Sequence, residues 1–216
     1  MISPAEAARA RAHMVERQLR GRGIADERVL AAMARVPRER FVPEAVAHLA
    51  YEDGALSIGY RQTISQPFVV ATICELLELT GDERVLDVGT GSGYQAAVLA
   101  ELAQEVVTIE RIPELATTAR VALEEYGNVE VRVGDGSLGV PDRAPFDAIA
   151  VAAAAPGVPP ALVSQLTVGG RLVVPRGTRS GQDLVLVVRT PRGAREARSI
   201  PVRFVPLVGD EGFADD

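Results

Sequence analysis

The chain has 216 residues, a formal net charge of -6, 47% hydrophobic and 24% charged residues, and all 23 of its basic residues are arginine. The absence of lysine excludes a P-loop, whose lysine lies on the phosphates, and a Schiff base or pyridoxal phosphate anchor, which needs a lysine amine. His13, His48 and the single Cys74 are too few for a His/Cys zinc site or a disulfide, so no metal is expected and a reducing compartment suits the chain. The longest small-apolar run, Ala148 to Ala155, stops at Pro156, and the N-terminus lacks a basic-then-apolar signal pattern. The reading is therefore a soluble, cytoplasmic protein with no membrane partner. Its acidic balance argues against nonspecific nucleic-acid binding, and the lack of an obvious exposed apolar helix stripe leaves monomer as the default.

Ala8, Ala12, Val15 and Leu19 recur at helical spacing, which predicts an amphipathic helix from Ala5 to Leu19 ended near Gly21 and Gly23. A second helix starts at an Asp26 N-cap and stops before Pro37, and Pro43 opens a short third one through Leu49. Ala50 to Ser65 reads as loop with room for short strands, and Gln66 to Leu79 as helix with Pro67 in its first turn. Beyond Gly81 the pattern changes. Arg84 to Val88, Val106 to Glu110, Val129 to Val133, Asp147 to Val151 and Arg171 to Pro175 are short β-rich runs, apolar enough to be buried on both faces. Helical segments at Tyr94 to Ala103, Pro113 to Tyr126 and Pro159 to Leu166 lie between them, an alternation that predicts an α/β fold with a mostly parallel sheet and helices on both faces. Asp183 to Arg189 and Ile200 to Leu207, joined through Thr190 to Ala194, suggest an antiparallel hairpin at the sheet edge, and Asp210 to Asp216 a frayed acidic tail. The expected organisation is an N-terminal helical segment with a loop, residues 1–80, packed on a ligand-binding unit, residues 81–216.

The strongest local signal is VLDVGTGSGYQ, Val85 to Gln95, a strand running into Gly89, Gly91 and Gly93 and then a helix. Glycine at such a turn accepts positive φ and lets backbone approach a ligand. A dinucleotide fingerprint would need its third glycine at position 94, which is Tyr, and Asp87 would repel a pyrophosphate, so a cationic or amine-bearing ligand is favoured. Glu110 closes the second strand 21 residues after Gly89, where a carboxylate can accept both ribose hydroxyls. Asp135, in Gly134 to Gly136, follows the third strand. These acids at successive strand ends would share one rim of the sheet, although each alone could be a solvated strand end or a turn residue.

VLDVGTGSGYQ, TIER (Thr108 to Arg111), GDG, PFDAI (Pro145 to Ile149) and GGRLVVP (Gly169 to Pro175) resemble the class I methyltransferases that use S-adenosylmethionine. QTISQP (Gln62 to Pro67), RFVPLVG (Arg203 to Gly209) and VPRERFVP (Val36 to Pro43) are similar to the signatures of the protein-L-isoaspartate O-methyltransferases, and the resemblance covers nearly the whole chain. It implies a Rossmann-like fold and methyl transfer to the free α-carboxylate of L-isoaspartyl residues in damaged proteins and peptides. The ester then collapses to a succinimide that partly reopens as normal aspartate, and the cofactor leaves as S-adenosylhomocysteine.

Carried over by residue, the resemblance implies that Asp87, Gly89, Thr90, Gly91, Ser92 and Gly93 shape the pocket for the methionine part of the cofactor, with Thr63 beside it. Glu110 would take the ribose hydroxyls, and Asp135 with Gly136 the adenine edge. Ser65 stands where the family has its active-site serine, with the alternative that it only caps the following helix. Ile64, Val205 and Val208 would face the substrate, the Val205 to Val208 strand offering backbone groups to an extended peptide. Ala152 to Leu162 resembles the loop that walls the cleft, and Arg61 is read as a surface residue. Other readings are a same-fold enzyme acting on a dedicated peptide or small-molecule carboxylate, a cofactor-binding protein without turnover, and, last, a dehydrogenase.

Overall fold

The computed structural model describes residues 2–215, with the side chains of residues 197–199 left aside. Its centre is a seven-stranded sheet in the order β5-β4-β3-β6-β7-β8-β9. Here β3 is Arg84–Val88, β4 Glu105–Glu110, β5 Val129–Val133, β6 Phe146–Val151, β7 Leu166–Gly177, β8 Gln182–Thr190 and β9 Gly193–Val202. β5, β4, β3, β6 and β7 run parallel, and β8 and β9 add antiparallel at one edge. A separate hairpin pairs β1, Leu56–Gly59, with β2, Gln62–Ile64.

The strand period of two divides the core. Val85, Val106, Ala148 and Val173 face one layer, which the N-terminal half of the chain covers through Leu19, Leu30, Met33, Ile73 and Leu99. Leu86, Val107, Ile149 and Leu172 face the other, covered by Val140, Leu162 and Leu207. The helices are α1 Pro4–His13, α2 Glu27–Arg35, α3 Pro67–Leu77, α4 Tyr94–Ala100, α5 Pro113–Ala122 and α6 Pro160–Ser164. Asp26 caps α2 as expected, its carboxylate accepting from the N–H groups of Arg28 and Val29 at 2.8 and 3.3 Å.

Three expectations need correction. The first helix is α-helical only to His13 and continues as a π turn over Met14–Leu19, whose wider winding brings Met14, Val15 and Leu19 all into the core. The edge hairpin turns through Pro191 and Arg192, so its second strand is Gly193–Val202 rather than Ile200 to Leu207. That strand includes Arg195 and Glu196, exposed side chains suited to a sheet edge but invisible to an apolar pattern. The acidic tail is folded back rather than frayed over its described residues. The Phe213 N–H bonds the Leu207 carbonyl at 2.7 Å, the Ala161 N–H bonds Glu211 at 2.8 Å, and Arg111 pairs with Asp215 at 2.9 Å.

Because the Asp26 carboxylate is what satisfies the first turn of α2, Asp26→Ala is expected to cost about 1 kcal/mol, or roughly 2–4 °C in Tm, by thermal unfolding.

Candidate active site

The site lies at the C-terminal ends of the parallel strands, where the loop after β3 meets the end of β4. Gly89, Gly91 and Gly93 have φ of 92°, 53° and 90°, values that side-chain-bearing residues rarely adopt. Nearly every N–H of the loop is spent inside the protein. Those of Gly89 and Thr90 bond the Ile109 carbonyl at 2.9 and 3.2 Å, that of Gly93 bonds the Thr90 carbonyl at 2.8 Å, and that of Gly91 bonds Glu110 Oε2 at 2.8 Å. A pyrophosphate cradle needs such donors turned outward, so the dinucleotide alternative loses its binding groups. Gly89, Thr90, Gly91 and Ser92 line the cleft, whereas Gly93 packs inward, where an added Cβ would lie 3.0 Å from Leu123 Cδ1.

Asp87 sits behind this loop and does not line the cleft. Its carboxylate is wholly buried and accepts from Gln95 Nε2 and Thr108 Oγ1, each at 2.8 Å; the Thr108 hydroxyl also lies 2.6 Å from that of Thr90. Burial pushes its pKa up to about 6, opposed by the bonds from Gln95 and Thr108 and reinforced by the nearby Glu110. The structure thus places Asp87 as a support for the loop. Gln95 and Thr108 were missed from the sequence. The available signal was Thr108 itself, a hydroxyl in the otherwise apolar run VVTI, on a strand buried on both faces.

Glu110 is nearly buried but lines the cleft. Besides the Gly91 N–H it accepts that of Ile112 through Oε1 at 3.0 Å, leaving further lone pairs on both oxygens for a ligand. Gly136 also lines the cleft and must be glycine, since a Cβ there would come within 2.7 Å of Val88 Cγ1. Asp135 stands just outside. Its Oδ1 accepts from the backbone and hydroxyl of Ser137 at 2.9 and 2.7 Å, and Oδ2 from the Asp210 N–H at 2.8 Å. Burial alone would raise its pKa, but these bonds, led by that from Asp210, hold it below the usual carboxylate value. Asp135 is therefore the anchor of the folded C-terminal tail as well as a neighbour of the cleft.

On the opposite wall, Thr63, Ile64 and Ser65 line the cleft together with Ala152, Ala153, Val205 and Val208. The helix-cap reading of Ser65 is overturned. The N-cap of α3 is Gln66, which makes no side-chain cap bond and instead reaches Asp53 Oδ1 at 2.7 Å. Among the described residues the Ser65 hydroxyl has no hydrogen-bond partner, so it is available to a ligand. The expected strand addition at Val205 to Val208 is also limited. The Val205 carbonyl and the Leu207 N–H are already bonded to Ala154 at 2.8 and 2.7 Å. Arg61 is exposed at the tip of the β1–β2 hairpin with φ 58°, away from the cleft lining.

Two outcomes follow from these supports. Asp87 has a folded pKa above its unfolded value, so its stabilising contribution is full below about pH 4 and is lost as pH rises through about 6. The Tm of the parent protein relative to Asp87→Asn should therefore fall between those pH values and level off above them, by an amount on the order of 3 kcal/mol in stability. Glu110→Ala should lower the Tm of the ligand-free protein by several degrees, because two backbone donors lose their acceptor at a cost of about 1–3 kcal/mol. A carboxylate used only for ligand binding would leave that Tm unchanged.

The family model described as protein-L-isoaspartate(D-aspartate) O-methyltransferase matches residues 9–212. The chain is 58% identical over 204 residues to protein-L-isoaspartate O-methyltransferase 2 of Marinobacter nauticus, covering 93% of each chain. It is 54% identical over 212 residues to the protein-L-isoaspartate O-methyltransferase of Methanoculleus marisnigri, covering 95% of this chain and 94% of that one. A solved protein-L-isoaspartate O-methyltransferase superposes with a TM-score of 0.83 at 29% identity, over 94% of this chain and 67% of that one. A Plasmodium falciparum structure described as a protein-L-isoaspartate O-methyltransferase in complex with S-adenosyl-L-homocysteine gives 0.78 at 25% identity, over 92% and 98%. With the match spanning the N-terminal helices, the glycine loop and the C-terminal segment alike, the chain belongs to the protein-L-isoaspartate O-methyltransferase family.

Proposed function

We propose that this protein transfers a methyl group from S-adenosylmethionine to the α-carboxylate of L-isoaspartyl residues in damaged proteins and peptides, starting their return to normal aspartyl linkage. The observation that carries this reading is the Ser65 hydroxyl, without a hydrogen-bond partner among the described residues and held in the same cleft as the glycine loop and the Glu110 carboxylate. The donor set suits the cofactor. Glu110 offers carboxylate lone pairs to hydroxyls, the positive-φ loop lets backbone come close, and the inward-turned N–H groups do not invite phosphate. S-adenosylmethionine supplies, when bound, an electrophilic methyl on a positively charged sulfur that departs as neutral S-adenosylhomocysteine.

The residues of the chain then have a modest task. An acceptor carboxylate is ionised at neutral pH, so none of them need act as a strong base. Ser65 donates a hydrogen bond to one carboxylate oxygen and leaves the other aimed at the methyl carbon, and the nearby start of α3 favours the same negative charge. Ala152, Ala153 and Leu207 exclude water from that approach. Residues 1–80 bring Thr63, Ile64 and Ser65, and the remainder brings the cofactor residues, two parts acting as one unit through the core layer they share. No helix among the described residues is long and apolar enough to cross a membrane, and we infer a cytoplasmic monomer that meets its substrates in solution.

The purified protein should transfer labelled methyl to an isoaspartyl peptide and not to its aspartyl twin; equal labelling of both, or none, would sink the assignment. Loss of a hydrogen bond to a charged group in Ser65→Ala should lower kcat by about 10- to 100-fold while the Kd for S-adenosylhomocysteine holds. An unchanged kcat would remove Ser65 from the reaction.

A further inference from the structure

We propose that a second groove beside Ser65 selects the sequence around the acceptor residue, and that Arg203 makes it favour an acidic side chain flanking the isoaspartyl linkage. This rests on the methyl-transfer reading above and names the substrates that the same site prefers.

The groove, of about 240 Å³, shares Thr63, Ser65, Ala152 and Val205 with the cofactor cleft. It is therefore the continuation of that cleft on the acceptor side of the serine, the place where the chain on either side of a bound isoaspartyl residue must run. Phe68 and Val69 of α3 form one wall, and the extended segment from Ile200 to Val205 the other. Phe68, Val202 and Phe204 are half-buried, packed against the core behind them while lining the groove in front. Such walls accept the apolar parts of a peptide.

The charge in the groove is one-sided. Among the described residues no acidic side chain lines it, and two arginines do. Arg22 is compensated: its guanidinium lies 3.8 Å from the centroid of the Phe68 ring and pairs with Asp53 at 3.0 Å, which in turn holds the Gln66 amide. Arg203 is exposed and has no ion-pair partner among the described residues. In a chain of net charge -6 this reverses the local sign, placing one unpaired guanidinium where the flanking residue of a bound peptide would lie. A carboxylate on that residue gains a partner at little cost, whereas an ammonium meets like charge. Electrostatic preference at a solvent-facing site is modest and fades with salt.

The test uses isoaspartyl peptides of one host sequence in which the residue before or after the linkage is Glu, Gln or Lys. In at least one of the two series kcat/KM should fall in the order Glu, Gln, Lys, with Glu about fivefold above Lys through KM, and with the gap closing as salt is raised. Arg203→Lys should keep that order and Arg203→Glu reverse it. Equal values for Glu and Lys in both series, or the parental order surviving in Arg203→Glu, would overturn the proposal. If no peptide of either series is methylated, the methyl-transfer reading itself fails, an outcome distinct from methylation without a charge preference.

Discussion

The hydrogen bond from the Gly91 N–H to Glu110 Oε2 ties the loop after β3 to the end of β4, and the rest of the site is arranged around it. Parallel pairing of Asp87 with Thr108 and of Val88 with Ile109 brings the two strand ends side by side. The Ile109 carbonyl then takes two loop N–H groups, Glu110 takes a third, and Asp87 holds Gln95 and Thr108 from behind. Fixing the loop this way turns its bonded amides inward and leaves lone pairs of the Glu110 carboxylate at the cleft, beside Thr90 and Ser92. Inward-turned amides beside a carboxylate are the opposite of a phosphate cradle.

The acceptor wall follows a different logic. Gln66, and not Ser65, is the N-cap of α3, and among the described residues the Ser65 hydroxyl has no hydrogen-bond partner in the cleft. The C-terminal segment closes the other side, since Ala154 holds Val205 and Leu207 while Asp135 and Ser137 hold the backbone of Asp210 and Glu211. The tail thus reinforces the wall near the cofactor, and Asp135 couples the two. The chemistry demanded of this assembly is orientation of a nucleophile that is already charged. That is why a chain without lysine, with two histidines and one buried cysteine, lacks nothing the reaction requires.

What could be read from the sequence was what depends on local pattern. Four of the parallel strands, the glycine loop, the Glu110 spacing and the Asp26 cap each arise within a few residues and lie within a position or two of the sequence reading, whereas β7 begins at Leu166, ahead of its β-rich run at Arg171 and inside the expected helix. What could not be read depended on distant partners. The polar edge strand Gly193–Val202 has no apolar signature because it faces solvent, and its register is set by pairing with β8. The folded tail needs Asp135 and Ala161, 75 and 50 residues away, to hold it. Ser65 carried two compatible roles, and only the position of Gln66 and Asp53 separated them. Asp87 looked like a ligand group because it stands beside the glycines, yet full burial gives it a supporting role instead.

The central claim is that this cleft starts the repair of isoaspartyl linkages, and the product of prolonged turnover tests it most directly. An isoaspartyl peptide incubated with the protein and S-adenosylmethionine, followed by chromatography and mass spectrometry, should lose its isoaspartyl form. The normal aspartyl peptide should accumulate through a succinimide, with S-adenosylhomocysteine formed at each cycle. Persistence of the isoaspartyl peptide, or a stable methyl ester on another carboxylate with no aspartyl product, would contradict the assignment.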